Sequence, residues 1–133
     1  MVIDASALAA ILFGEAEKRY FIEAIEAADA RRISVATFVE VSIIVESRLS
    51  AEGLRDLDRF IASAAIELVP VDFEQGHIAR AAFSRFGKGR HPAGLNFGDC
   101  FAYALAKGLG EPLLCKGADF ARTDIRLAAS ASE

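Results

Sequence analysis

The stretch MVIDASALAAILFG, residues 1–14, carries the clearest indication of the fold. A short apolar run from Met1 to Ile3 ends at Asp4, and a segment of helical composition then extends from Ser6 to Phe13. Gly14 stops that segment, as glycine often does at the end of a helix. The order predicts a buried strand that leads through an acidic residue into a helix.

The same order of elements recurs along the rest of the chain. Further strand patterns lie at 32–35, 67–71, 112–115 and 125–128, and helical patterns lie at 15–30, 37–49, 51–65, 73–86 and 99–109. Pro70 places the third strand at a sheet edge or at a strand end, because proline cannot donate to a central ladder. Short apolar strands that alternate with helices predict an α/β fold with a short, mainly parallel central sheet covered on both faces.

Length and composition are those of one apolar-rich domain. The 133 residues predict a single domain over 1–133, with a frayed tail at 129–133. Hydrophobic residues make up 53%, yet no apolar run approaches the ~18 residues of a membrane span. The start of the chain has no basic segment, so we expect no signal peptide and a cytoplasmic protein. The apolar surplus favours an interface with a second copy or with a partner.

The two cysteines are predicted to be reduced core residues. Cys100 lies in an apolar helix pattern, and Cys115 ends an apolar strand pattern. A zinc site would need further ligands, and the histidines are only His77 and His91. The sequence therefore disfavours both a disulfide and a zinc centre.

The formal net charge of −4 argues by itself against a nucleic-acid-binding protein, because phosphate binding depends on Lys and Arg. The basic residues are clustered, however. The segment 80–91 contains no acid, and its basic residues are Arg80, Arg85, Lys88, Arg90 and His91. A local basic patch can steer a polyanion even on an acidic molecule.

Four acids are predicted to follow strand ends independently of one another: Asp4, Glu40, Asp99 and Asp119. Ligands of open α/β sheets bind beyond the carboxyl ends of the strands, so these acids are expected to share one edge. Such crowding is unfavourable without a cation, and ligands that are all oxygens suit Mg²⁺ or Mn²⁺. The chemistry that this pocket supports is hydrolysis of a phosphodiester by a metal-activated water.

Each acid also has a purely structural interpretation. Asp4 could cap the helix that follows it, and Thr37 with Glu40 matches a capping box. Asp99 could serve the dipole of its helix, and Asp119 and Asp124 could be turn residues. Capping and metal binding are compatible, because a helix N-terminus favours an ionised carboxylate.

Three motifs carry a resemblance to a known family. VIDASAL at 2–8, LNFGDCFAYALA at 95–106 and LLCKGADF at 113–120, followed by Thr123-Asp124-Ile125, resemble the motifs of PIN domains, and of VapC toxins in particular. The segment 37–40 is similar to the family's second acidic motif. The resemblance covers essentially the whole chain and implies a three-layer α/β/α PIN-like fold.

The resemblance also implies an activity and partners. It implies an endoribonuclease that uses Mg²⁺ or Mn²⁺ held by Asp4, Glu40, Asp99 and Asp119. It implies that Ser6 supports the first acid or its metal-bound water, that the chain forms a homodimer, and that a VapB-like antitoxin inhibits it. Ala118 stands where many relatives have a polar or acidic residue, which leaves the fourth position to Asp119, helped by Asp124.

The candidate phosphate contacts are Arg85, Lys88, Arg90 and Lys116, and such contacts position RNA without naming a base. A competing hypothesis is an RNA-binding toxin module that blocks its target without cleaving it. A receiver-like domain that phosphorylates an aspartate is disfavoured, because only Lys116 lies near the required region.

Overall fold

The computed structural model describes residues 1–128, so the predicted frayed tail at 129–133 lies outside the described residues. The elements in chain order are β1 (Val2–Ile3), α1 (Ala5–Leu12), α2 (Lys18–Ala27), β2 (Arg32–Ser34), α3 (Val35–Ser63), β3 (Glu67–Val69), α4 (Phe73–Phe86), α5 (Phe97–Leu109), β4 (Leu113–Leu114) and a 3₁₀ turn (Phe120–Arg122).

The strands form one parallel sheet in the order β3-β2-β1-β4, which confirms the predicted parallel α/β fold. Val2 pairs with Arg32 on one side of β1 and with Leu113 on the other. The strand that precedes Pro70 lies at the edge, as that proline predicts. This order puts β1, and the acid that follows it, in the interior of the sheet.

Helices cover both faces of the sheet because successive strand side chains point to opposite sides. Val2 and Leu113 belong to a core cluster with residues of α4 and α5. Ile3 and Leu114, the next residue along each strand, belong to a second cluster with residues of α1 and α3. The three-layer α/β/α architecture is therefore confirmed.

The start of α3 differs from the sequence prediction. The helix begins at Val35, and the hydroxyl of Ser34 caps it by accepting from the backbone N–H of Ala36 at 3.3 Å. The capping-box interpretation of Thr37 and Glu40 is therefore wrong, and both residues lie inside the helix. A short strand that continues directly into a helix leaves no loop for a cap at Thr37.

Of two other predicted boundaries, one is confirmed and one changed. The predicted division of the long helical stretch is confirmed at Ser50, whose φ of 61° and ψ of −162° are not helical. The predicted strand at 125–128 is reduced to a single bridge between Leu127 and Leu113. The backbone N–H of Leu113 donates to Arg126, and the Leu113 carbonyl accepts from Ala128, both at 2.9 Å.

Two further observations concern the membrane and cysteine predictions. No helix within residues 1–128 is long and apolar enough to cross a bilayer. Both cysteines are free, with Cys100 buried and Cys115 half-buried.

Candidate active site

The candidate site lies at the carboxyl ends of β1 and of its two neighbours in the sheet, β2 and β4. Asp4 directly follows β1, and Cys115 directly follows β4. Glu40 projects from α3, which continues β2, and Asp99 lies in the first turn of α5. Parallel strands end at the same edge of a sheet, and this is why residues distant in sequence meet here.

The Asp4 carboxyl is buried, with 4% of the residue exposed. Its Oδ2 caps α1 by accepting from the backbone N–H of Ser6 at 3.1 Å and from the Ser6 hydroxyl at 2.6 Å. Its Oδ1 is buried and has no hydrogen-bond partner among residues 1–128. Burial raises the pKa of Asp4, and the bonds from Ser6 only partly oppose that rise. The capping interpretation is thus correct for one oxygen and leaves the other available.

Ser6 connects the first acid to the end of β4. While its hydroxyl donates to Asp4, the same oxygen accepts from the backbone N–H of Lys116 at 2.9 Å. The orientation of the Asp4 carboxyl is therefore coupled to the segment that leads to Asp119.

Asp99 occupies the third position of α5 and forms a capping box with Asn96. Its Oδ2 accepts from the Asn96 backbone N–H at 3.0 Å, and its own N–H donates to the Asn96 side chain at 2.9 Å. Burial, with smaller contributions from the charges of Asp4 and Asp119, raises the pKa of Asp99 to about 6. The capping bond to Asn96 acts in the opposite direction.

Glu40 is a half-buried acid whose surroundings disfavour its ionised form. Its Oε1 is buried and accepts no hydrogen bond from the part of the chain that the structure describes. Burial first, then the charges of Asp4 and Asp99, raises its pKa to about 7. Part of the Glu40 population is therefore protonated at neutral pH unless a cation is present.

Asp119 and Cys115 complete the neighbourhood. Asp119 is exposed and precedes the 3₁₀ turn, and its charge contributes to the raised pKa of Asp99. Burial raises the pKa of the Cys115 thiol to about 12, with contributions from the charges of Asp4, Asp99 and Asp119. Sequence reasoning missed this thiol as a neighbour of the site, although its place between β4 and Asp119 was a usable signal.

The donor set fits a hard divalent cation. One buried carboxylate oxygen of Asp4 and one of Glu40 accept no hydrogen bond within the described residues, so a cation could bind there. Mg²⁺ and Mn²⁺ prefer carboxylate oxygens as ligands. Within residues 1–128, no three His, Cys, Asp or Glu side chains are already gathered as a complete set of ligands. The acids are electrostatic neighbours rather than a closed cage, and such an arrangement suits an ion that keeps most of its water.

The raised pKa values predict how stability changes with pH in the absence of metal. A carboxyl with a higher pKa in the folded state binds more protons there, so the free energy of unfolding falls as pH rises from the unfolded to the folded value. For Glu40 this window runs from 4.5 to about 7. We expect the Tm in EDTA to fall across it, and to fall less in Glu40→Gln, which carries no titrating group there. Identical pH profiles for the two proteins would contradict the assigned crowding.

Asp124 is engaged elsewhere. Its carboxylate accepts from the Tyr103 hydroxyl at 2.6 Å, from Lys107 Nζ at 2.9 Å and from Arg85 at 3.4 Å. These partners, Tyr103 foremost, lower its pKa. Asp124 thus connects the C-terminal segment to α4 through Arg85 and to α5 through Tyr103 and Lys107. Tyr103 and Lys107 lie about one and two helical turns beyond Asp99.

The basic candidates divide into two groups. Lys116 Nζ forms ion pairs with Glu15 at 2.8 Å and Glu17 at 3.4 Å, and Arg85 pairs with Asp124. Lys88 and Arg90 are exposed on the loop after α4, and the Arg90 guanidinium lies 5.6 Å from the centre of the Phe83 ring. The loop cations are therefore the better placed of the four to meet a polyanion.

Comparisons with known proteins agree with this architecture. Residues 1–126 match the family model of the PIN domain. The chain is 50% identical over 125 residues to ribonuclease VapC30 of Mycobacterium tuberculosis, covering 94% of this chain and 95% of that protein.

Two solved structures resemble the fold at low sequence identity. The crystal structure of M. tuberculosis VapC20, described as a toxin that cleaves the sarcin–ricin loop, superposes with a TM-score of 0.79 at 14% identity, covering 97% of this chain and 98% of that one. A toxin–antitoxin complex from Klebsiella pneumoniae gives a TM-score of 0.68 at 18% identity, with 92% of each chain covered.

Proposed function

The chain belongs to the PIN-domain family as a VapC ribonuclease toxin of a toxin–antitoxin system, and we propose that it hydrolyses RNA at the acidic site built around Asp4 and Asp99. The observation that carries this proposal is the pair of buried carboxylate oxygens, on Asp4 and Glu40, that lack partners within the described residues. Unpaired buried anions from separate elements are costly unless a ligand compensates them.

Each acid has a distinct role in the proposal. Asp4 and Asp99 would hold Mg²⁺ or Mn²⁺ most directly, and one oxygen of each already accepts a capping bond. Glu40 and Asp119 shape the site and orient the attacking water. Ser6 holds the Asp4 carboxyl in place. The cation, when bound, supplies charge neutralisation at the phosphate and activation of water.

The RNA would approach along the basic loop. Lys88 and Arg90 contact its phosphates in the proposal, and Arg85 and Lys116 reach them only when their pairing with Asp124 and Glu15 is exchanged. Contacts of this type set the position of the strand and leave base identity unread.

The proposed partners are a VapB-like antitoxin and a second copy of the chain. Three apolar residues spaced by four along α3 are exposed: Val35 by 37%, Val39 by 49% and Ile43 by 61%. An apolar stripe on one helix face supports a protein interface, since soluble monomers rarely expose such surface.

The test is cleavage of a labelled RNA with Mn²⁺ and with excess EDTA. We expect product only with Mn²⁺, with termini that carry a 5′-phosphate and a 3′-hydroxyl. Equal product in EDTA would remove the metal from the proposal. RNA binding without any product would instead support a module that blocks its target.

A further inference from the structure

Gly98 stands in the first turn of α5, between the exposed Phe97 and the capping residue Asp99. Its φ angle is not positive, so its backbone is outside the left-handed region that favours glycine. Inside a helix, glycine is less favourable than alanine because it loses more conformational freedom on folding. Neither the backbone conformation nor helix propensity therefore explains a glycine at this position.

The space beside Gly98 does explain it. A Cβ built on Gly98 would lie 2.7 Å from Glu40 Oε1, and Glu40 Oε2 and Cδ would be closer still. The Glu40 carboxyl therefore lies directly against the α-carbon of Gly98, where no other residue type leaves room.

No hydrogen bond within the described chain holds Glu40 Oε1 in place. The carboxyl reaches the other acids from α3, and the first turn of α5 is the surface that it meets. Its position beside Asp4 and Asp99 is thus set by steric fit at Gly98. The N-terminus of α5 also favours a negative charge at this point.

We propose that Gly98 is a positioning residue for the metal site, and that the absence of a side chain there determines where the Glu40 carboxyl lies relative to Asp4 and Asp99. This inference rests on the proposed function, because it concerns the same acidic site. Gly98 itself touches neither metal nor RNA in the proposal.

Another helical glycine provides a matched control. A Cβ built on Gly76, in α4, would meet nothing within 4 Å. Gly98→Ala and Gly76→Ala thus make the same chemical change in a helix, and only the first intrudes on a carboxyl.

The experiment measures Mn²⁺ affinity by the electron paramagnetic resonance signal of the free ion, independently of RNA cleavage. Gly98→Ala is expected to weaken affinity about 10-fold to 100-fold, the range for losing the support of a metal ligand. Gly76→Ala is expected to bind as the wild type does. Because only the far end of a flexible side chain must move, and because alanine favours the helix more than glycine does, Gly98→Ala is expected to fold with a Tm in EDTA no lower than that of the wild type.

A second substitution separates positioning from a general structural defect. Glu40→Asp shortens the side chain, so it should weaken Mn²⁺ binding in the wild type, where the carboxyl no longer reaches. In the Gly98→Ala background the same change should strengthen binding, because the shorter side chain clears the new methyl group. Such a reversal of sign requires direct coupling between the two residues, whereas independent defects would add.

Wild-type affinity in Gly98→Ala would overturn the inference, as would simple additivity in the double variant. A crystal structure of Gly98→Ala decides the same point without metal: an unmoved Glu40 carboxyl overturns the proposal, and a displaced one supports it. If the wild type neither binds Mn²⁺ nor cleaves RNA, the proposed function fails, and the position of Glu40 in that crystal structure still decides the role of Gly98.

Discussion

Replacing Asp4 with asparagine is expected to lower metal-dependent RNA cleavage by about 10³-fold or more, the scale of losing a central catalytic group. The amide keeps an oxygen that can accept from Ser6 and cap α1, so the local fold is retained. It removes the one charge that is almost fully buried at the site. Asp99→Asn should lower cleavage similarly, because Asp99 lies close enough to Asp4 for the charge of Asp4 to raise its pKa.

The stability of Asp4→Asn without metal should not fall with its activity. Burial disfavours the ionised Asp4 carboxyl, so the neutral amide is expected to leave the Tm in EDTA unchanged or to raise it. Added Mn²⁺ should raise the wild type's free energy of unfolding by linkage, by about 1.4 kcal/mol at ten times the Kd. The Tm of the wild type should rise accordingly, and that of Asp4→Asn should not. A large loss of activity without a loss of metal-free stability distinguishes a functional carboxylate from a structural one.

Asp124→Asn is the matched control, since it makes the same chemical change at an acid outside the group. It loses ion pairs with Lys107 and Arg85, so we expect a lower Tm, with Mn²⁺-dependent cleavage retained. Wild-type cleavage by Asp4→Asn, or equal losses in all three variants, would contradict the proposed site.

The second large effect concerns pH. Mn²⁺ binds ionised carboxylates, so its affinity should fall as Glu40 and Asp99 take up protons. Their pKa values without metal are about 7 and about 6. Between pH 7 and pH 5 the apparent affinity is therefore expected to fall about 100-fold or more, because each required deprotonation contributes up to about tenfold per pH unit below its pKa.

Titration of Mn²⁺ between pH 5 and pH 8 tests this expectation without RNA. Glu40→Gln should bind more weakly at pH 8 and should show a shallower pH dependence, because the step due to Glu40 is removed while that of Asp99 near pH 6 remains. An affinity that stays constant from pH 5 to pH 8 would exclude protonation of these acids as the competing reaction.

The sequence by itself determined the class of fold and the family. The apolar strand runs and the 3.6-residue period of the helices are local features, and they predicted α4 at Phe73–Phe86 with its observed bounds. Strand ends are also local, so the position of Asp4 beyond β1 was readable before the topology was known. Asp99 follows a loop rather than a strand, at the start of α5, so its place near Asp4 depends on how α5 packs. The capping role of Asp4 followed from the same short-range pattern, whereas the sequence placed Asp99 at the start of its helix without predicting the capping box that it forms with Asn96.

Only the tertiary structure decided which carboxylate oxygens lack a hydrogen-bond partner and which charged side chains already form ion pairs. The contact of Glu40 with Gly98 joins residues that are far apart in sequence, as do the pairing of Lys116 with Glu15 and the capture of Asp124 by Tyr103. Local periodicity carries no information about such contacts, because they depend on how α3, α5 and the segment after β4 pack together. The same packing buries the carboxyls, and burial is the main cause of their raised pKa values.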